Sequence, residues 1–282
     1  MRVEITSDAG DFQRRVSGFL DRDPLRHTLI CTIVDNEMTG LTVPVEPSYF
    51  ASVRSGDVVG VAIRTAGHGV LVGEMPDAAL PELVTRFAEF LPRVPEVIGA
   101  ESAASEFARI WSELRGTSYG AGRRERLYRL GRLQVPHAPG KPRPATAADI
   151  EVCGQWTADM DRELGGFQLA LAESALRARL ATGRWWLWED DGRPVSLTAH
   201  QVPIRGWARI GPVYTPPETR GHGYASALVA HVAGTLRAAG QDVCLFTDLA
   251  NPTSNKIYRA IGFEAVLDQA QYVIGPNGSG LN

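Results

Sequence analysis

Lysine is almost missing from these 282 residues: of 29 cationic side chains, only Lys141 and Lys256 are lysine. Such a skew toward arginine is expected of a GC-rich bacterial genome and carries no information about chemistry. Cysteine is equally scarce. Cys31, Cys153 and Cys244 stand far apart and form no C-x-x-C pair, so neither a metal site nor a disulfide framework is expected, and a reducing cytoplasm suits the chain. No apolar run approaches the roughly 18 residues of a membrane span, and residues 1–10 are polar, so an unsecreted protein with no membrane partner is expected. Excess positive charge is also missing. A net charge of -3 and a pI near 6.1 argue against a nucleic-acid partner, because nothing in the balance would draw the protein onto a polyanion.

What is present is enough apolar material, 44% of residues, to fill two modest cores, and the length suits two domains. Four of the nine residues in 136–144 are proline, which rules out helix and central strand there. The expected division is a first domain over 1–135, a linker over 136–144, a second domain over 145–275 and a flexible tail over 276–282.

The second half is the more legible. Thr146 to Asp149 has the form of a capping box, followed by Ile150, Cys153 and Trp156 at helical spacing. Leu169, Leu171, Leu176 and Leu180 mark a second helix. Runs 185–189 and 195–200 flank Asp190-Asp191-Gly192 as a hairpin. A strand over 207–215 leads through Arg220-Gly221-His222-Gly223-Tyr224-Ala225 into a helix with Ala225, Leu228, Val229, Val232 and Leu236 on one face. A strand over 243–247 and a short helix from Asn251-Pro252 to Gly262-Phe263 follow. The first half repeats this order in blurred form, with strands at 58–64, 69–72 and 97–98 and helices at 80–91 and 105–114. Where the second half has its glycine turn, the first has Glu74-Met75-Pro76-Asp77, whose carboxylates would repel phosphate.

Glycines between a strand and a helix make an anion site, because first-turn N–H groups lack partners and the helix dipole is positive there. A P-loop would need G-K-[ST], which is absent, and the dinucleotide fingerprint has Ser226 where its last small residue belongs. Further on, Asn251, Asn255 and Tyr258 lie at i, i+4 and i+7, along one helical face. Singly, a cap, an exposed amide and a core tyrosine would explain them.

Together the two segments resemble the GNAT superfamily of acyl-CoA-dependent N-acetyltransferases. Arg220-x-x-Gly223-x-Ala225 is similar to that superfamily's Q/R-x-x-G-x-G/A signature, and residues 251–263 are similar to its second motif. The resemblance covers roughly residues 145–274. It implies an α/β (α+β) fold of tandem GNAT-like domains, each a mixed central sheet flanked by helices, the first degenerate and without cofactor. Under a direct register, Glu101, Ser105 and Ala108 stand in the first half where Asn251, Asn255 and Tyr258 stand in the second.

The activity so implied is acetyl transfer from acetyl-CoA to an amine, small-molecule or protein, by direct attack on the thioester, in a monomer or homodimer. Arg220, Gly221, His222, Gly223, Tyr224, Ala225 and Ser226 would hold the pyrophosphate of coenzyme A. Val213, Tyr214 and Thr215 would line the pantetheine arm, with Asn251, Asn255 and Tyr258 completing the cofactor set. Tyr258 would protonate the departing thiolate, since a phenol is still protonated at neutral pH. Among Asp159, Asp161 and Glu163, Glu163 is the candidate general base. His200 is a weaker one, and Trp186 and Trp188 share a strand face suited to an acceptor pocket or to core. A non-catalytic acyl-CoA sensor is the alternative. Arg123, Arg124, Arg126, Arg129 and Arg132 form the one basic run, expected to be a solvated helix face or a seam between domains.

Overall fold

The computed structural model describes residues 1–42, 44–164 and 172–276. One element order occurs twice. The first copy is β1 (Arg2–Thr6), α1 (Ala9–Leu20), α2 (Thr28–Met38), β2 (Tyr49–Ser55), β3 (Asp57–Arg64), β4 (Val70–Val72), α3 (Leu80–Phe90), β5 (Glu96–Gly99), α4 (Glu101–Arg115) and β6 (Thr117–Leu130). The second is β7 (Lys141–Pro144), α5 (Ile150–Glu163), α6 (Glu173–Leu180), β8 (Trp185–Asp190), β9 (Arg193–His200), β10 (Trp207–Tyr214), α7 (Tyr224–Ala238), β11 (Asp242–Asp248), α8 (Pro252–Ile261) and β12 (Phe263–Pro276). Leu169 and Leu171, read as part of the second helix, and the tail beyond Pro276 lie outside the described residues.

Packing divides the chain differently from the expected 135/145 boundary. One unit takes Met1–Leu127, Thr247–Ala250 and the chain from Val266, and the other takes Tyr128–Phe246 and Asn251–Ala265. In the first unit the strands run β1-β2-β3-β4-β5-β12. Ala270, Gln271, Tyr272 and Val273 of β12 pair antiparallel with Gly99, Ile98, Val97 and Glu96 of β5. Sequence proximity had assigned these residues to the second domain. Without them β5, whose Val97 is fully buried, would present an unpaired edge. The core of this unit joins Leu80, Leu83, Val84 and Phe87 of α3 to Phe107 and Trp111 of α4 and Ile274 of β12.

The basic run 123–132 is a correction. It lies mostly in strand β6 rather than on a helix, and its arginines meet carboxylates: Arg124 with Glu101 at 2.6 Å, Arg126 with Asp268 at 2.6 Å, Arg129 with Glu264 at 3.0 Å.

In the second unit the proline-rich stretch is not a plain linker. Its last four residues form β7, which pairs with β8 at the end of the strand order β11-β10-β9-β8-β7. An edge is where proline is tolerated, since no ladder bond is lost on its outer side. The expected capping box is present: Thr146 accepts from the Ala148 N–H while Asp149 accepts from the Thr146 N–H. Arg143 on β7 clamps Asp149 with two bonds of 2.8 Å and pulls its carboxyl down to about 2. The start of α5 is thereby tied to the sheet. α7 packs on one face, against Trp188, Ala208, Ile210, Val243 and Leu245. Cys153 of α5 and Leu176 and Leu180 of α6 pack with Trp185, Leu187, Leu197 and Ala199. The tryptophans alternate as expected, and the face shared by Trp186 and Trp188 lies in the core under α7.

A buried histidine organises the first unit. The Nδ1–H of His27 donates to the Asp23 carbonyl at 3.0 Å, which leaves Nε2 to accept the Glu74 N–H at 3.2 Å. This arrangement needs a neutral ring, and burial lowers the His27 pKa. The unfolded chain therefore takes up the proton first, and the contribution of His27 is full above the ordinary value of 6.5 and shrinks as pH falls below it. Unfolding by urea should show stability dropping from about pH 7.5 to about 5.5, and His27→Gln should remove part of that slope. An unchanged slope in the variant would refute the assignment.

Candidate active site

The site is built where β10 loses a neighbour. β10 and β11 run parallel, with Trp207 opposite Asp242 and Ile210 opposite Leu245, and their pairing ends there. β10 continues to Tyr214, paired on its other side with β9 through Val213–Thr198 and Tyr214–Leu197 after a register shift between Ile210 and Val213. The backbone beyond Ile210 thus has a flank that β11 does not occupy.

The glycine turn follows. Gly221 and Gly223 have φ of +84° and +83°, a conformation that costs other residues about 1–2 kcal/mol. Among the described residues, the N–H groups from Gly221 to Ser226 have no protein acceptor; the first backbone bond into α7 is from Ala227 to the Gly223 carbonyl at 3.0 Å. Six consecutive unmet donors at a helix start are what an anion would satisfy. Two contacts hold the turn in place. The Tyr224 hydroxyl donates to Asp190 at 2.5 Å, and the His222 ring stacks on Tyr224 with centroids 5.4 Å apart. Ala225 and Ser226 are the second and third residues of α7.

Arg220 and Glu163 meet, which the sequence did not suggest. Arg220 Nη2 contacts Glu163 Oε1 at 2.8 Å and Oε2 at 2.7 Å, and its Nε donates to the Thr215 carbonyl at 2.8 Å. The Tyr214 hydroxyl also donates to Glu163 Oε1, at 3.0 Å. Burial, and then this bond, push the Tyr214 phenol up to about 12. Both oxygens of Glu163, the expected general base, thus accept hydrogen bonds from Arg220, and Oε1 accepts one from Tyr214 as well. Asp159 is likewise engaged, by Gln155 and Arg162. His200 ends β9 as expected; its Nδ1 lies 2.9 Å from the Gln201 carbonyl and burial lowers its pKa.

On α8, Asn251 is the N-cap, accepting the Ser254 N–H at 3.0 Å. Asn255 has partners inside the protein. It is buried, its Oδ1 accepts the Tyr128 hydroxyl at 2.9 Å and its Nδ2 donates to the Asn251 carbonyl at 2.8 Å. Its amide ties β6 to α8. Gly262 closes α8 at φ +105°, where a Cβ would sit 2.0 Å from the Arg132 carbonyl oxygen. Tyr258 is buried against Phe263, and among the described residues its hydroxyl has no hydrogen-bond partner. Desolvation pushes its phenol up to about 12.

Residues 191–273 match a family model described as FR47-like protein. No curated protein matches the chain. Among solved structures, a GNAT-family acetyltransferase from Colwellia psychrerythraea superposes with a TM-score of 0.60 at 11% identity, covering 98% of this chain and 100% of that one. A GCN5-related N-acetyltransferase from Sphaerobacter thermophilus gives 0.59 at 15%, covering 96% and 94%. A tandem GNAT protein from the clavulanic acid biosynthesis pathway gives 0.58 at 13%, covering 99% and 100%. The fold is a tandem GNAT fold. The glycine turn of this GNAT fold lies in the second copy. In the first copy, residues 74–77 contain no glycine and the Glu74 N–H is already taken by His27. Aligning α4 and α8 on their caps, Ala100 and Asn251, places Ala104 opposite Asn255 and Phe107 opposite Tyr258, one residue off the register expected.

Removing the Tyr128 hydroxyl should test the internal role of Asn255. Tyr128→Phe removes a buried hydrogen bond to the Asn255 carbonyl and should cost about 1–3 kcal/mol in urea unfolding. A cost near zero would return Asn255 to the list of residues free to meet a ligand.

Proposed function

We propose that this protein is an acyltransferase that moves an acetyl group from acetyl-CoA to an amine, with donor and chemistry in the second copy. The observation that carries the reading is the run of unmet N–H groups from Gly221 to Ser226 beside a strand, β10, that has parted from its parallel neighbour. The residues fit coenzyme A by their donor chemistry. Backbone amides at a positive dipole end suit a pyrophosphate, and the open flank of residues 213–215 suits an extended amide-bearing arm, which would add to the sheet as a strand does. The Thr215 carbonyl is engaged by Arg220 and the Tyr214 carbonyl by the Ser196 hydroxyl, so neither carbonyl is left for that arm.

When bound, acetyl-CoA would supply an activated acyl group on a thiol leaving group. The chain's own contribution is positional and protic. The N–H near Val213 can donate to a carbonyl oxygen that gains negative charge. Tyr258 keeps its proton on Oη at neutral pH, because burial disfavours the phenolate, and an unpartnered hydroxyl is free to turn toward a leaving group. The first copy has Phe107 at the aligned position, and its Glu74 N–H is taken by His27, which supports the reading that the activity belongs to the second.

The acceptor is an amine, of small molecule or protein. A panel of such amines, followed by release of free thiol from acetyl-CoA, tests the reading. Tyr258→Phe should lower turnover by about 10²–10⁴ with coenzyme A affinity unchanged. Turnover by the variant equal to the parent's would remove Tyr258 from the chemistry. Coenzyme A binding with no turnover on any amine would favour a sensor.

A further inference from the structure

Arg220 carries a net of contacts that neither motif accounts for. Its Nε is on the Thr215 carbonyl and its Nη2 on both oxygens of Glu163. Its guanidinium carbon stands 5.8 Å from the centre of the Tyr214 ring. Guanidinium offers five N–H donors in a rigid plane. Two of its three nitrogens are used inside the protein, and among the described residues Nη1 has no acceptor. The unspent edge of the fork belongs to the residue that opens the glycine turn, next in sequence to six unmet amides.

Glu163 is the last residue of α5, and Tyr214 is the last of β10. The Tyr214 hydroxyl on Oε1 orients the carboxylate, and the carboxylate orients the arginine. A bare arginine at such a site would keep its rotamer freedom and lose it on meeting an anion. Held from two sides, it pays that cost before the ligand arrives. We propose that Glu163 is a positioning residue for the acyl donor: with Tyr214 behind it, it holds Arg220 so that Nη1 is presented to the donor's pyrophosphate. Glu163 touches no reacting atom in this role. The proposal rests on the acyl-CoA reading of the glycine turn and adds to it a residue from outside the motifs.

The pair is about half exposed, with side chains 48% and 44% accessible, so the attraction itself adds little to folding and its removal should leave the protein intact. The test is calorimetric titration of coenzyme A into the parent, Glu163→Gln, Glu163→Asp and Tyr214→Phe, with steady-state kinetics on acetyl-CoA. Glu163→Gln should weaken coenzyme A binding by up to about tenfold and raise KM for the donor with kcat nearly unchanged. Tyr214→Phe should weaken it less, and Glu163→Asp should recover part of the loss. In an Arg220→Gln background, Glu163→Gln should have no further effect, since its only route to the donor is gone.

Equal affinity of parent and Glu163→Gln would overturn the proposal while leaving the acyl-CoA reading standing. A fall in kcat with donor KM and affinity unchanged would also overturn it, since that is the signature of proton transfer by Glu163. No binding of coenzyme A by the parent would sink both.

Discussion

The parting of β10 from β11 is the constraint on which the rest of the second copy depends. Up to Ile210 and Leu245 the two strands satisfy one another; beyond that point β10 follows β9 alone. Backbone donors and acceptors are obligatory hydrogen-bonding groups. A strand that leaves a neighbour must find another partner, in protein, water or a ligand. The turn after β10 then adds donors from Gly221 to Ser226, a run that only positive φ at Gly221 and Gly223 permits. Both features leave backbone groups without a protein partner among the described residues.

The first copy shows what happens when the same topology is filled from within. β4 and β5 are parallel as β10 and β11 are, and α3 follows β4 as α7 follows β10. Yet His27 accepts the Glu74 N–H, Gly73 packs too closely against Val61, Ile30 and His27 to accept a Cβ, and Asp77 opens the helical turn before α3. Phe107, packed on Trp111 and Phe87, occupies the aligned position of Tyr258. One copy has converted its crevice into core, and the other has kept donors unspent.

Much of this was legible in the chain. The face formed by Leu228, Val229, Val232 and Leu236 is buried as its spacing required, and the Thr146–Asp149 box caps as its residues suggested. Other signals were present and unread: Phe12, Val16, Phe19 and Leu20 give α1 its buried face at helical spacing. The arginines of 123–132 lie mostly on a strand and not on a helix face, because charge density says nothing about whether backbone is helix or strand, while the division between the two units does fall within the run. Their partners, Glu101, Glu264 and Asp268, lie 23 to 142 positions away.

By itself the sequence determined the element order from α5 onward, the outline of the repeat, the glycine turn and the helix caps, because these follow from patterns within short stretches of chain. Tertiary structure alone decided which groups are spent. Asn255 pairs with Tyr128 across 127 positions, and Glu163 with Arg220 across 57. It also decided that Ala270 to Val273 complete the sheet of the other copy. The physical reason is common to all three: a hydrogen-bonding group carries no mark in sequence of the distant partner that will satisfy it.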